Sequence, residues 1–429
     1  MTETTIGFGS ALLALTLIAC SDSNVEGSSG TSGGSAGSAG MSGAAGSAGA
    51  AGSAGAAGSA GSSGAAGSAG YPLTAMPLLP AGQHVTMMTS FELLPTHPEI
   101  ETRWRSAVNA GMKTARIQLD WASLDLGNGV IDDTPLREQL ETHEAQGLSS
   151  YVGVYAIDSE GLVVPHDLLD GTTATGLVDG RSMDDPLVLG RYLALLEEIV
   201  PLIVEHGGYV LSIANEPEGF VEDKPDTNDA INAFYAAAID HAHGLAPDLA
   251  VTVTMTSAVL QKTPVFFDTV VDMSDVVSYN YYCLDLTVTG DAFQFVLRGP
   301  VEERVPEDFN TLVNAAAGKE VIFHELGCPA GWDPSVIGTD EETQKAFFEA
   351  AFAQLHALPK VRAAVVFLLV DWSDQLFDDF YREPLEAQGL PPVFIDSFDE
   401  WLTTSGMITF DGVERPSWAV FMDAVAHQP

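Results

Sequence analysis

Apolar residues along the chain fall into two alternating kinds of segment. Short runs dense in Val, Ile and Leu have the pattern of strands buried on both faces, as a parallel sheet requires. Eight such runs stand out, at 85–90, 114–121, 149–158, 209–216, 249–257, 275–282, 320–325 and 363–372. Between them, stretches of helical periodicity predict helices over 97–112, 136–147, 229–244, 307–318, 341–358 and 417–427. Gly111, Gly147, Gly244 and Gly318 end four of these runs, where a left-handed stop residue belongs. A further run over 186–208 contains Pro201, which should kink or split its helix. Eight strands alternating with helices predict an α/β fold, a (β/α)8 TIM barrel. An open, doubly wound sheet is the rival, disfavoured because no glycine-rich phosphate loop follows the first strand.

The N-terminal part breaks this rhythm. From Ser28 to Gly70 the chain is almost entirely Gly, Ala and Ser, with no large apolar side chains to bury. Such a stretch is expected to remain a flexible coil with a span of roughly 35 Å. The chain therefore divides into a segment 1–20, a linker 21–70 and a barrel 71–429. Residues 6–19 are apolar but too few to cross a bilayer comfortably, which fits a signal h-region. They run into Leu17-Ile18-Ala19-Cys20, which resembles the lipobox of bacterial lipoproteins. That resemblance implies lipidation at Cys20, export, and a barrel held at the outer membrane or cell surface through a lipid anchor alone. The leading MTETT lacks the Lys or Arg of an ordinary signal. Cys283 and Cys328 fall at the ends of consecutive predicted strands; a disulfide and two free thiols both remain open.

Charge narrows the partners. The 429 residues carry 59 acidic and 17 basic side chains, a net charge of −42. A surface of that sign repels nucleic acid and other polyanions and favours a neutral or cationic partner, although the same acidity also serves solubility.

Active sites of such barrels lie at the C-terminal ends of the strands. Read in order, those ends supply Ser90 and Glu92, Arg116 with Trp121, Asp158, Asn215-Glu216-Pro217, Ser257, Asn280-Tyr281-Tyr282, Glu325 and Trp372. Two carboxylates each close an apolar strand, Glu216 in "LSIANEPEGF" and Glu325 in "VIFHELG". Taken singly, Asn-Glu-Pro reads as a turn or cap, Arg116 as a salt-bridge partner and Trp372 as core. Their order and placement are what point to chemistry.

With those residues in place, the chain resembles the glycoside hydrolases of clan A. "YVLSIANEPEGF" and the closing "SGMITFDGVERPSWAVF" look loosely like the endo-β-1,4-galactanase branch, beside a more general cellulase-like character. The resemblance implies retaining hydrolysis of β-glycosidic bonds, with Glu216 as acid/base and Glu325 as nucleophile. It also implies that Arg116 and Tyr282 contact the nucleophile, that Trp372 forms the sugar platform, and that Asn215 meets the 2-hydroxyl. Retention calls for carboxyl groups about 5–5.5 Å apart. Asn280 joins the substrate-binding set and stands where cellulase-like members carry His; the third strand lacks a His as well. Trp121, Tyr155, Tyr281, Phe220 and Trp332 lie near the same rim. Trp121 is the one assigned to the substrate, although ordinary packing explains any of them. The expected partner is a neutral poly- or oligosaccharide acted on by a monomer without cofactor or metal, since His84 and His324 lack ligand spacing. Two alternatives stand beside this: a glycan-binding barrel without turnover, and a metal-dependent sugar isomerase or lyase.

Overall fold

The computed structural model describes residues 82–87 and 98–428, apart from 160, 172–175, 290–291, 298, 332–337 and 388–389. The segment 1–20 with Cys20, the linker 21–70, Ser90, Glu92 and Trp332 lie outside the described residues.

Eight parallel strands form the core: β1 (His84–Met87), β2 (Thr114–Asp120), β3 (Ser149–Tyr155), β4 (Gly208–Asn215), β5 (Ala250–Thr256), β6 (Val277–Tyr282), β7 (Val321–Gly327) and β8 (Val361–Val366). Hydrogen-bonded neighbours run β1-β8-β7-β6-β5-β4-β3-β2, each pair parallel. Among the described residues no ladder joins β1 to β2, but the Thr86 hydroxyl donates to the Thr114 carbonyl at 2.5 Å across that seam. The result is a nearly closed (β/α)8 barrel.

Helices cover its outside: α1 (Pro98–Ala110), α2 (Thr134–Ala145), α3 (Pro186–Glu205), α4 (Asn228–Leu245), α5 (Pro264–Met273), α6 (Val301–Ala315), α7 (Glu341–Ala357), α8 (Pro392–Thr404) and α9 (Pro416–Ala426). α3 shows how the pattern works. Asp185 caps it by accepting from the Leu187 amide at 2.9 Å, and Pro186 opens it. Val188, Tyr192, Leu195, Leu196, Ile199 and Ile203 then form one buried stripe at helical spacing.

Two expectations are corrected here. Pro201 does not split α3, which runs through it as one helix. The hydrogen bond it forgoes would have gone to the carbonyl of exposed Glu197, which water can serve. Gly244 does not stop α4, which continues to Leu245, whereas Gly147 (φ 73°) and Gly318 (φ 84°) do adopt the left-handed stop.

The barrel interior is less apolar than its strands suggest. Tyr151, Ser212, Thr254 and Ser278 meet there in a mutually hydrogen-bonded layer, with oxygen separations of 2.9–3.1 Å. β6 and β7 are tied at their C-terminal ends by a disulfide between Cys283 and Cys328, with Cα atoms 5.1 Å apart. Beyond β6, an antiparallel hairpin (Leu284–Thr289 with Ala292–Leu297) sets Phe295 against Phe394, Phe398 and Trp401 of α8.

Candidate active site

β4 ends at Asn215, and Glu216 follows with φ of +48°, a left-handed conformation that non-glycine residues rarely adopt. Its amide donates to the Thr254 carbonyl at 2.8 Å, which holds the turn against β5. Pro217 then enters the α region (φ −68°, ψ −10°) and starts the short helix Glu218–Asp223. An apolar strand thus ends in a polar triplet because the chain must turn sharply there and swing a carboxyl group over the barrel end. A strained backbone of this kind costs on the order of 1–3 kcal/mol and concentrates at functional sites.

Glu325 sits near the end of β7 and is almost fully buried. Arg116 Nη2, from β2, donates to its Oε1 at 2.9 Å, and the Tyr282 hydroxyl, from β6, donates to its Oε2. Both oxygens therefore face donors, which is the setting of a carboxylate. Arg116 is itself buried; burial is the largest single influence and lowers its pKa, but the Glu325 charge together with Tyr155, Tyr282 and Tyr151 more than offsets it, so the pKa stands above the ordinary value. Glycine at 327 is needed for this arrangement, because a Cβ there would come within 2.7 Å of the Tyr282 ring.

Glu216 has the opposite setting. Asn280 Nδ2 donates to its Oε1 at 2.7 Å and to Asn215 Oδ1 at 3.0 Å. Asn215 in turn donates to Asp158 Oδ1 at 2.9 Å. Burial, then the charges of Glu325 and Glu218, push the Glu216 pKa well above 4.5, so its acid form persists. Burial also raises Asp158 and Glu218, each to about 6. Glu218 accepts from the Thr256 amide at 2.6 Å, while its other oxygen is buried without a hydrogen-bond partner among the described residues. Among the described residues, Asp158, Glu216, Glu218 and Glu325 thus place four carboxyl groups at the barrel end that holds the Arg116 guanidinium.

No family model matches the chain, and no curated protein matches it either. Solved structures do. A GH5_18 protein from Bifidobacterium longum subsp. longum aligns with a TM-score of 0.57 at 15% identity, covering 81% of this chain and 79% of that one. A GH5_18 variant from Streptomyces cattleya, in complex with Manβ1-4GlcNAc, aligns at 0.56 and 15% identity over 80% of each chain. An exo-β-1,4-mannosidase from Opitutaceae bacterium strain TAV5 aligns at 0.54 and 14% identity, over 80% of this chain and 58% of its own. The chain shares their fold.

On that fold, the structure brings Arg116, Asn215, Glu216, Asn280, Tyr282 and Glu325 into one connected site. Trp372 lies just past β8, 5% exposed, with its ring stacked 5.3 Å from that of Tyr381 and its Nε1 buried without a hydrogen-bond partner among the described residues. Asp371 beside it is anchored by Arg415 at 2.7 Å. Trp121 is a correction. It is wholly buried, edge-on to Tyr192 at 4.9 Å, and its Nε1 donates to Asp125 at 3.3 Å, so it has no surface to offer a sugar. Tyr281 and Phe220 are likewise packed inside, Tyr281 donating to Asp308 at 2.8 Å.

Glu218 and His324 were missed by sequence reasoning. "NEPEG" and "HELG" held them in plain view, each two or fewer residues from a chosen carboxylate, but only the fold turns both inward. Among the described residues, no group of three or more His, Cys, Asp or Glu side chains is disposed to hold a metal.

Proposed function

We propose that the barrel is a retaining β-glycosidase, with Glu216 as general acid/base and Glu325 as nucleophile. One observation carries this reading: two buried carboxyl groups at the same barrel end sit in opposed environments, one receiving donors on both oxygens and one kept protonated by burial and nearby negative charge. Such pairs divide the acid and nucleophile roles. Glu325 attacks the anomeric carbon while Glu216 gives its proton to the departing oxygen, leaving a glycosyl ester on Glu325. Glu216, now a carboxylate, takes a proton from the water that displaces that ester. Arg116 and Tyr282 hold the nucleophile's oxygens, Asn215 stands beside the acid where a sugar 2-hydroxyl would bind, and Trp372 forms the platform.

The substrate is a neutral, β-linked oligo- or polysaccharide; four carboxyl groups at the barrel end disfavour an anionic sugar. Structures of the same fold that bind Manβ1-4GlcNAc or act as exo-β-1,4-mannosidases make β-1,4-mannosides the first substrates to test. Hydrolysis of a neutral β-glycoside with retained anomeric configuration, abolished in Glu325→Gln while the fold persists, is the expected result. Inversion, or unchanged turnover in that variant, would refute the mechanism.

The protein acts outside the cytoplasm as a lipoprotein attached through Cys20, with residues 21–70 as its tether. The motif around Cys20 and a disulfide suited to an oxidising compartment support this. Loss of palmitate labelling in Cys20→Ser is the test.

A further inference from the structure

The residue before the nucleophile has no role in the mechanism above. His324 is wholly buried, with its imidazole against the Tyr151 ring at 4.6 Å. Both its nitrogens have partners: Nε2 lies 3.1 Å from the Tyr155 hydroxyl and Nδ1 lies 3.0 Å from Asn280 Oδ1.

The proton positions follow from the far end of the chain of contacts. Asp158 accepts from Asn215 Nδ2, which leaves Asn215 Oδ1 to accept from Asn280 Nδ2. Asn280 also spends an N–H on Glu216 Oε1, so its own Oδ1 is an acceptor. His324 must therefore carry its proton on Nδ1, and in a neutral ring Nε2 then accepts from Tyr155. Burial, and then the charge of Arg116, hold the imidazole pKa well below 6.5, in keeping with a neutral ring. Gly153 makes the arrangement possible on β3, because a Cβ there would lie 2.4 Å from the Tyr155 ring.

We infer that His324 is a positioning residue that decides which oxygen of Glu216 carries the proton delivered to the leaving group. The role rests on Glu216 being the general acid. An amide N–H on Oε1 excludes the acid proton from that oxygen and leaves it on Oε2. If the Asn280 amide rotated by half a turn, its carbonyl would face Glu216 and hold the proton at Oε1, within the barrel wall. The His324 Nδ1–H prevents that rotation by occupying Asn280 Oδ1. His324 makes and breaks no bond itself.

A defect of this kind harms only steps that need proton donation, because phenolate departs poorly without an acid whereas 2,4-dinitrophenolate leaves unaided. The experiment compares kcat/KM for phenyl and 2,4-dinitrophenyl β-glycosides of mannose, glucose and galactose. In His324→Leu we expect a loss of about 10- to 100-fold on the phenyl glycoside and about threefold or less on the dinitrophenyl one, a share of the 10²–10⁴-fold a positioned acid contributes. His324→Asn, whose amide N–H can replace Nδ1–H, should recover most of the loss. Equal losses on both substrates, or no recovery in His324→Asn, would reduce His324 to packing and overturn the inference. ¹⁵N NMR of the histidine rings in the unmutated protein gives an independent arm: a His324 proton on Nδ1 supports it, and one on Nε2 overturns it whatever the activity. A protein that cleaves none of the six glycosides, yet shows the Nδ1 proton, would place the fault in the hydrolase reading and remove this role with it.

Discussion

The disulfide between Cys283 and Cys328 begins one residue after Tyr282 and ends three residues after Glu325, so it clamps together the two strand ends that carry Glu325 and its hydroxyl donor. The bridge closes a loop of 45 residues. On the chain-entropy view, a loop of that size corresponds to about 4 kcal/mol of stabilisation. Thermal unfolding with and without reductant should therefore show a drop of several degrees, and Cys283→Ser should be insensitive to reductant.

Gly327 supports the same contact from below. In Gly327→Ala the new methyl group meets the Tyr282 ring, whose hydroxyl then loses its place on Glu325. A hydrogen bond to a charged group contributes about 1.5–3 kcal/mol, so kcat/KM should fall roughly ten- to hundredfold. Tyr282→Phe should fall by a similar amount, and the double variant by little more than either alone.

The alkaline limb of the pH profile reports on Glu216. On the proposed mechanism Glu216 works protonated, and its pKa is raised, so kcat/KM should decline on the alkaline side well above 4.5. Donation from Asn280 lowers that pKa and the Glu218 charge raises it. The alkaline limb should accordingly move up in Asn280→Ala and down in Glu218→Gln, as measured by pH–rate profiles of kcat/KM.

Stability should respond to pH with a definite sign. Asp158 and Glu218 have folded pKa values of about 6 against ordinary values of 3.8 and 4.5, so the folded state binds protons that the unfolded chain has released. Their favourable effect is complete below pH 4 and is lost as the pH rises through about 6. The melting temperature should thus be lower at pH 7 than at pH 5, with a smaller difference in Glu218→Gln.

Trp121 and Trp372 should behave oppositely. Trp121 is a wall residue, so Trp121→Phe should lower the melting temperature and leave KM unchanged. Trp372→Phe should raise KM in the same substrate assay, with a smaller effect on melting.

Much of the barrel was legible because its strands are solid apolar runs, and six of the eight predicted segments overlap the barrel strands over most of their length, while 363–372 runs past β8 into the separate short strand Leu368–Val370. For β1, residues 88–90 of the predicted run lie outside the described residues. The hairpin over 284–297 was not foreseen. "LDLTVT" alternates where the barrel strands do not; it pairs with Ala292–Leu297 instead of joining the main sheet, and Phe295 of that second strand packs on α8. α8 escaped too, since "PVFIDSFDEWLTT" mixes its apolar residues with buried Asp399 and Glu400. At the site, Glu216 and Glu325 stood out as carboxylates closing apolar strands, whereas Tyr282 and Arg116, the latter third in β2 and not at its end, were tied to them only through the resemblance. The line from Tyr155 through His324 and Asn280 to Glu216 could not, because it joins residues from β3, β7, β6 and the turn after β4 that share no local pattern. Trp121 misled because it stands at a strand end next to the right residues but turns toward the helices.

The backbone at Glu216 sets stability against activity at a single position. Glycine would relax the left-handed turn there and also remove a buried acid, so Glu216→Gly should give a chain that is easier to fold and chemically inert. On the proposed mechanism, a screen of variants for thermal robustness alone would therefore tend to erase this residue, and a screen for turnover would hold it in place.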